Sequence, residues 1–156
     1  MEKREYKEAQ VIRRAATEAD VEFARKTHHA AYRDVIVQQF GNFDEKVQDE
    51  FFAKSWNPQT HEVLVSGDSE IGYCSIEHFP DHIFAHELVL LPEFQGKGIG
   101  TKILQELLEE AKAKNIPIRL QVLKENQAQH LYRRLGFKDV GSIDTHFLME
   151  FDPSKI

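Results

Sequence analysis

The sequence predicts an α+β fold, with a mixed, largely antiparallel sheet of about seven strands flanked by about four helices. Apolar residues recur at helical steps of three and four before Pro58, whereas short β-rich runs dominate after it. The clearest helical pattern, at residues 98–115, lies between two such runs and indicates a β-helix-β unit. No internal repeat, low-complexity segment or Pro/Gly/Ser-rich linker interrupts the chain, so we expect one domain over residues 1–156.

The elements before Pro58 are predicted as one strand and two helices. Alternation predicts the strand at residues 9–14, and Thr17, with Asp20 three positions on, indicates the start of the first helix. Asp44 indicates the start of the second helix. The predicted buried stripe of the first helix is Val21, Ala24, His28, Ala31 and Val35. The predicted inner face of the second helix is Val47, Phe51, Phe52 and Trp56.

The elements after Pro58 are predicted to be mainly strands. They are expected at residues 61–66, 70–78, 82–91, 118–123, 137–140 and 143–151. The long helix between them ends at Asn115, because Pro117 prevents its continuation, and a short helix at 126–135 is closed by Gly136. The buried stripe of the long helix is predicted to be Ile99, Ile103, Leu104, Leu107, Leu108 and Ala111.

Composition excludes several classes of partner. The formal net charge is −6 and there is no long basic run, which argues against nucleic-acid binding. No apolar run approaches the ~20 residues of a membrane span, so no membrane partner is expected. Cys74 is the only cysteine and the charged N-terminus has no apolar leader. A cytoplasmic protein without disulfides is therefore expected.

A glycine-rich loop at residues 95–100 indicates a phosphate site. A predicted strand runs to Pro92, and Gly96, Gly98 and Gly100 then open the long helix, where free backbone N–H groups and the helix dipole favour an anion. The spacing does not match the Walker A pattern, nor the G-x-G-x-x-G of dinucleotide-binding folds. What remains is a string of the form Q-x-x-G-x-G.

Together with two other segments, this string resembles the GNAT superfamily of N-acetyltransferases. The other segments are LPEF immediately before the loop and NQAQHLYRRLGF at residues 126–137. The predicted element order also fits, so the resemblance covers nearly the whole chain. It implies a GNAT-like fold, acetyl-CoA as co-substrate, no metal, and transfer of an acetyl group to a primary amine of a small molecule or a protein. It also allows a homodimer through the last strands.

The resemblance assigns residues to the acetyl-CoA site. The backbone of Leu88, Val89 and Leu90 would bind the pantetheine arm where their strand parts from the next one. Asn126 would contact the same arm, although it precedes Tyr132 by six residues and many members have seven. The pyrophosphate would lie among the backbone N–H groups of Gln95, Gly96, Lys97, Gly98, Ile99, Gly100 and Thr101.

Tyr132 is the predicted general acid. By the same resemblance it would lie near the sulfur, where a phenol with a pKa of ~10 protonates the departing thiolate. The alternative is a packing tyrosine beside Ala128 and Leu135. The developing oxyanion would be bound by a backbone N–H near Val89 or Leu90. Because no nucleophile for an acyl-enzyme stands out, direct transfer is expected.

The general base is less well defined by the sequence. Some family members carry a glutamate where this chain has Gln121, so the candidates are Glu87 first, then Glu77 and His86, or a water relay. Strand alternation places Glu87 on one face and His86 on the other, with Leu88. Each candidate is equally explained as a solvated edge charge. The missing glutamate leaves a rival function open, a non-catalytic acyl-CoA-binding sensor.

Overall fold

The computed structural model describes residues 10–155. Their helices and strands, in chain order, are β1 (Val11–Ala15), α1 (Val21–Phe40), α2 (Glu45–Ser55), β2 (Glu62–Ser66), β3 (Ser69–His78), β4 (Ile83–Leu90), α3 (Ile99–Lys114), β5 (Ile118–Leu123), α4 (Ala128–Arg134), β6 (Lys138–Ser142) and β7 (His146–Phe151). The predicted fold class and element order are confirmed. Ala9, the predicted start of the first strand, lies outside the described residues.

The seven strands form one sheet in the order β1-β2-β3-β4-β5-β7-β6. β4 and β5 pair in parallel, and every other neighbouring pair is antiparallel. Since parallel neighbours need a crossover, α3 connects β4 to β5 across one face of the sheet. Within the described chain, no helix combines the length and apolar character that crossing a membrane requires.

The two faces of the sheet carry separate cores. On the α3 face, the predicted stripe of α3 is buried from Ile103 to Ala111 and packs against β4, β5 and β7. On the opposite face, Ala24 of α1 and Phe52 of α2 pack against Tyr73 of β3 and Val89 of β4. The site described below lies where these two cores meet the middle of the sheet.

The predicted inner face of α2 is partly wrong. Phe52 is buried, but Phe51 is 59% exposed and Val47 is 40% exposed. The helix is rotated so that Asp49 faces α1, where its Oδ1 lies 2.6 Å from His29 Nε2 and accepts a hydrogen bond from Arg25 at 3.1 Å. The polar contact between the two helices therefore overrides the apolar periodicity.

Two predicted helix starts are found with one difference. Asp44 caps α2 by accepting a hydrogen bond from the Val47 N–H at 3.2 Å. Thr17 precedes a 3₁₀ turn at Glu18–Asp20 rather than α1 itself, and its N–H donates to the Asp20 carboxylate at 2.8 Å. Asp20 also accepts two hydrogen bonds from Arg14, which lower its pKa to about 2. This pair ties the turn to β1.

A β-bulge in β4 corrects the predicted placement of His86. Ser75 pairs with Glu87 while the next residue, Ile76, pairs with Ala85, so His86 is an extra residue in the ladder. His86 consequently shares the α1/α2 face with Glu87, and its Nε2 lies 2.9 Å from Oε1 of Glu77 on β3. Simple alternation had placed His86 on the opposite face.

The last two strands also differ from prediction. β6 runs from Lys138 to Ser142, and Phe137 belongs to the buried core instead of the strand. β7 starts at His146 because residues 143–145 form the turn between the two strands, closed by a bond from the Ile143 N–H to the His146 carbonyl at 2.9 Å.

Candidate active site

The candidate active site is a gap between β4 and β5. The two strands pair only where residues 83–85 lie opposite residues 118–120. Beyond Ala85, β4 stays paired with β3 on its other side, so the edge of β4 that faces β5 has no strand partner in the described chain. Unpaired strand edges present rows of N–H and C=O groups that a ligand can bind.

The direction of the backbone groups on β4 follows from one hydrogen bond. The Leu91 N–H donates to the Ile71 carbonyl of the β3 side at 2.9 Å. Because an antiparallel ladder alternates, Val89 directs its N–H toward β3, whereas Leu88 and Leu90 direct theirs into the gap. The Leu90 carbonyl accepts a hydrogen bond from Gln95 Nε2 at 2.9 Å. Of the two predicted oxyanion donors, the geometry therefore favours Leu90 over Val89.

Glycines shape the loop at one end of the gap. Gly96 and Gly98 have φ angles of 72° and 83°, a left-handed backbone that other residues adopt only with strain. A Cβ added at either position would meet no heavy atom within 4 Å, so both glycines face open space. Gly100 differs, since its Cβ would make an ordinary contact at 3.9 Å with Leu90.

The start of α3 presents free donors to this loop. The Lys102 N–H donates to the Gly98 carbonyl at 3.0 Å, so the preceding N–H groups of Ile99, Gly100 and Thr101 have no partner within the helix. Gly98 supplies no capping side chain. Unpartnered N–H groups and the positive end of a helix dipole are the features that favour anion binding at a helix N-terminus.

Gln95 and Lys97 have other contacts inside the loop. The Gln95 N–H donates to the Pro92 carbonyl at 3.1 Å and its side chain bonds to Leu90, so Gln95 braces the loop against β4. Its N–H is therefore engaged, unlike the role that the resemblance implied. The Lys97 ammonium lies 5.6 Å from the centre of the Phe94 ring, at the exposed outer side of the loop.

Tyr132 lies on α4 and packs, with Leu88, against the core of the α3 face. Its ring centre is 5.8 Å from that of Phe137. Burial raises the pKa of Tyr132 to about 12, so the phenol stays protonated at neutral pH. The side chain therefore packs against the core and keeps its phenolic proton.

Glu87 lies beside the gap on the α1/α2 face of the sheet, opposite the face on which Tyr132 packs. It accepts a hydrogen bond from the Tyr73 hydroxyl at 2.9 Å. Burial raises the pKa of Glu87 above its ordinary value, partly offset by the hydroxyls of Tyr73 and Ser55 and by His86. A half-buried carboxylate with a raised pKa is suited to proton transfer. Glu77 and His86 are both largely exposed and pair with each other.

Tyr32 of α1 is a site residue that the sequence did not indicate. It packs against the cluster that contains Tyr73 and Val89, and its ring centre lies 4.8 Å from that of His28. Its pKa is raised well above the ordinary value by burial and by the neighbouring Glu87 and Tyr132. Tyr32 thus packs beside Val89, which lies two residues from Glu87 on β4.

Asn126 has a structural role at the start of α4. Its Oδ1 accepts a hydrogen bond from the Ala128 N–H at 2.9 Å, and its backbone carbonyl accepts one from Gln129 Nε2 at 3.0 Å. The side-chain carbonyl is therefore occupied by the turn that precedes α4, and the amide NH₂ remains as the group that can bind a ligand.

The other candidates do not form a second reactive site. Cys74 is fully buried, and burial raises its pKa to about 12, as expected for a packing residue. Burial, together with His29, lowers the pKa of His28 to about 4. Gln121 is exposed on β5 opposite Leu148. Among the described residues, no group of three or more His, Cys, Asp or Glu side chains is arranged to hold a metal ion.

Comparison with solved structures supports the fold. The structure of PaiA N-acetyltransferase from Thermoplasma acidophilum, in complex with coenzyme A, superposes with a TM-score of 0.73 at 19% identity. The match covers 92% of this chain and 99% of that one.

Sequence comparison gives the family. N-alpha-acetyltransferase RimI of Mycobacterium tuberculosis is 35% identical over 91 residues, which cover 54% of this chain and 56% of RimI. This chain therefore spans little more than half the length of that relative. L-amino acid N-acyltransferase MnaT of Escherichia coli is 29% identical over 144 residues, with 75% and 78% coverage. A family model described as an acetyltransferase (GNAT) domain matches residues 57–139, more than half of the 156 residues. The chain belongs to the GNAT acetyltransferase family.

Proposed function

We propose that this protein is an acetyl-CoA-dependent N-acetyltransferase that moves an acetyl group directly to a primary amine. The observation that carries the proposal is the gap between β4 and β5, with an anion site at one end and Glu87 and Tyr132 near its walls. The proposal treats residues 1–156 as one acetyltransferase domain.

Binding of acetyl-CoA is assigned to backbone groups. The N–H groups of Ile99, Gly100 and Thr101 hold the pyrophosphate, and the positive φ angles of Gly96 and Gly98 shape the loop around it. The free edge of β4 at residues 88–90 bonds the pantetheine arm. Acetyl-CoA supplies the activated thioester.

Three groups of the chain are assigned to the reaction as base, oxyanion donor and acid. Glu87 accepts a proton from the ammonium of the acceptor, directly or through water, so that the neutral amine can attack the carbonyl carbon. The Leu90 N–H donates to the oxyanion that develops as the C–N bond forms. Tyr132 donates its proton to the sulfur as the C–S bond breaks, and the proton that the nitrogen loses as the neutral amide forms restores the phenol. The raised pKa of Glu87 favours proton uptake, and the pKa of Tyr132 means that its phenol carries a proton at neutral pH.

The test is a turnover assay with matched variants. Purified protein is assayed for CoA release with a panel that contains alkylamines, L-amino acids and peptides with free N-termini. Tyr132→Phe is expected to lower kcat by about 10²-fold or more while leaving acetyl-CoA affinity unchanged. His130→Ala, an exposed position on the same helix, serves as the control and should retain full activity.

Two outcomes would contradict the proposal. Unchanged turnover in Tyr132→Phe would remove the acid role from Tyr132. If the wild-type protein binds acetyl-CoA but acetylates no amine in the panel, the rival function, a non-catalytic acyl-CoA sensor, replaces the enzyme. The position of Glu87 weakens this rival, because a half-buried carboxylate beside the gap could act as the base where Gln121 cannot.

A further inference from the structure

Helix α1 crosses the gap between β4 and β5 on the side opposite α3. The helix is anchored by apolar contacts as far as Ile36, since Ala24 and Tyr32 pack with Val89 of β4 and Ile36 is buried. Its last turn lacks such an anchor, because Val37 and Phe40 are largely exposed. Another kind of contact must hold the end of the helix against the sheet.

Gln39 supplies that contact. Its Nε2 donates to the Thr145 carbonyl at 2.9 Å, and its Oε1 accepts a hydrogen bond from the Glu125 N–H at 3.1 Å. The Lys124 N–H donates to the same Thr145 carbonyl at 3.2 Å. The amide of Gln39 therefore acts like a peptide group that adds one rung to the end of the β5–β7 ladder.

The two hydrogen bonds of the Gln39 side chain form a tether that holds the end of α1, whereas Tyr32 holds the middle of the helix by packing. Gln39 follows Tyr32 by seven residues, two helical turns, so the two side chains share one face of α1 about 10 Å apart along its axis. Tyr32 packs on the β4 side of the gap, and Gln39 binds the connection from β5 to α4 that precedes Tyr132. The position of α1 over the gap is thus set at two points, one apolar and one polar.

We propose that Gln39 is a positioning residue that holds α1 across the gap and thereby fixes the space available to the amine acceptor. The inference rests on the proposed acetyltransferase function. It concerns the acceptor and not acetyl-CoA, because Gln39 contacts neither the glycine loop nor β4.

The neighbouring Gln38 provides a matched control. Its Nε2 donates to the Glu125 carboxylate at 3.2 Å, but this contact is exposed and joins two side chains instead of backbone groups. Loss of an exposed contact has little effect, whereas loss of the Gln39 amide leaves a backbone N–H and a carbonyl without that partner. The two residues are adjacent in sequence and have the same side chain.

The experiment compares Gln39→Ala, Gln39→Glu and Gln38→Ala by steady-state kinetics and amide hydrogen exchange. Gln39→Glu keeps the acceptor for the Glu125 N–H but loses the donor to Thr145. Both Gln39 variants should raise the KM of the acceptor about tenfold, corresponding to a lost interaction of about 1.4 kcal/mol, with the KM of acetyl-CoA within about twofold of wild type. Exchange should accelerate in residues 33–40, and Gln38→Ala should resemble wild type.

The exchange and kinetic results separately test the tether, the role specific to the acceptor and the proposed function. Unchanged exchange at residues 33–40 in both Gln39 variants would refute the tether, and equal rises in both KM values would refute a role specific to the acceptor. If the wild-type protein acetylates no amine, the proposed function and the acceptor role fail together. The exchange comparison does not depend on turnover, so it still shows whether Gln39 holds α1.

Discussion

Replacing Gly72 with alanine tests whether the close packing of β3 on β4 shapes the gap. A Cβ at Gly72 would lie 2.1 Å from the Val89 carbonyl oxygen and 3.1 Å from Leu90 Cα. Both atoms belong to backbone, so rotation of a side chain cannot relieve the clash. To restore a normal van der Waals separation, β4 must move by about 1 Å at Val89 and Leu90.

The expected losses of stability and of kcat follow from this displacement of β4. Forcing an extra carbon into a packed core typically costs about 1–3 kcal/mol, and for a protein of this size each kcal/mol lowers Tm by roughly 2–4 °C. We therefore expect a loss of about 2 kcal/mol and a fall in Tm of roughly 4–8 °C. The shift also moves the Leu90 N–H, and misplacement by about 1 Å can lower kcat by about 10²-fold.

The assays are urea unfolding followed by far-UV circular dichroism, and CoA release with the best acceptor. Gly141→Ala, on the edge strand β6, is the matched control, because its Cβ would lie 3.4 Å from the flexible Cδ1 of Leu148 on β7. This control should stay close to wild type in both assays. A Gly72→Ala protein with wild-type stability and wild-type kcat would refute the reasoning about β4.

Two further predictions concern pH. Because burial raises the pKa of Glu87, the wild-type kcat/KM should fall as pH drops through a value above the ordinary 4.5, and Glu87→Gln should be about 10²-fold slower and lack this dependence. If kcat/KM of Glu87→Gln falls at low pH in the same way as that of wild type, a group other than Glu87 is the base. The pKa of His28 is lowered from 6.5 to about 4, so the unfolded chain binds the proton first, and stability should fall by up to about 3 kcal/mol as pH drops across that window. Urea unfolding of wild type and His28→Gln checks this, and an equal pH dependence in both proteins would contradict it.

Local sequence patterns predicted the parts of the fold that local interactions determine. The stripe of α3 was predicted almost completely, since five of its six predicted residues are buried. The glycine loop was predicted because Gly96 and Gly98 adopt a backbone that favours glycine. In both cases the energetic reason lies within a few residues of the pattern, in helical periodicity or in a positive φ angle.

Contacts between distant segments account for the differences. His86 faces the same side as Glu87 because β4 has one more residue than β3 at that point, and a bulge leaves no mark on alternation read from a single strand. Phe51 is exposed because Asp49 turns α2 toward His29 of α1. Both outcomes depend on a partner element that the local pattern does not contain.

The sequence by itself predicted the fold class and the family, because hydrophobic periodicity and the motifs at residues 91–100 and 126–137 can be read without knowledge of tertiary contacts. It also predicted an anion site at the glycine loop, which stays a prediction. Only the tertiary structure showed that Leu90 directs its N–H into the gap and that Tyr32 packs with Tyr73 and Val89. Gln39 is the extreme case, since its two hydrogen-bond partners are 86 and 106 residues away. The position of such a side chain depends on how the whole sheet closes around it, and no spacing in the sequence encodes that.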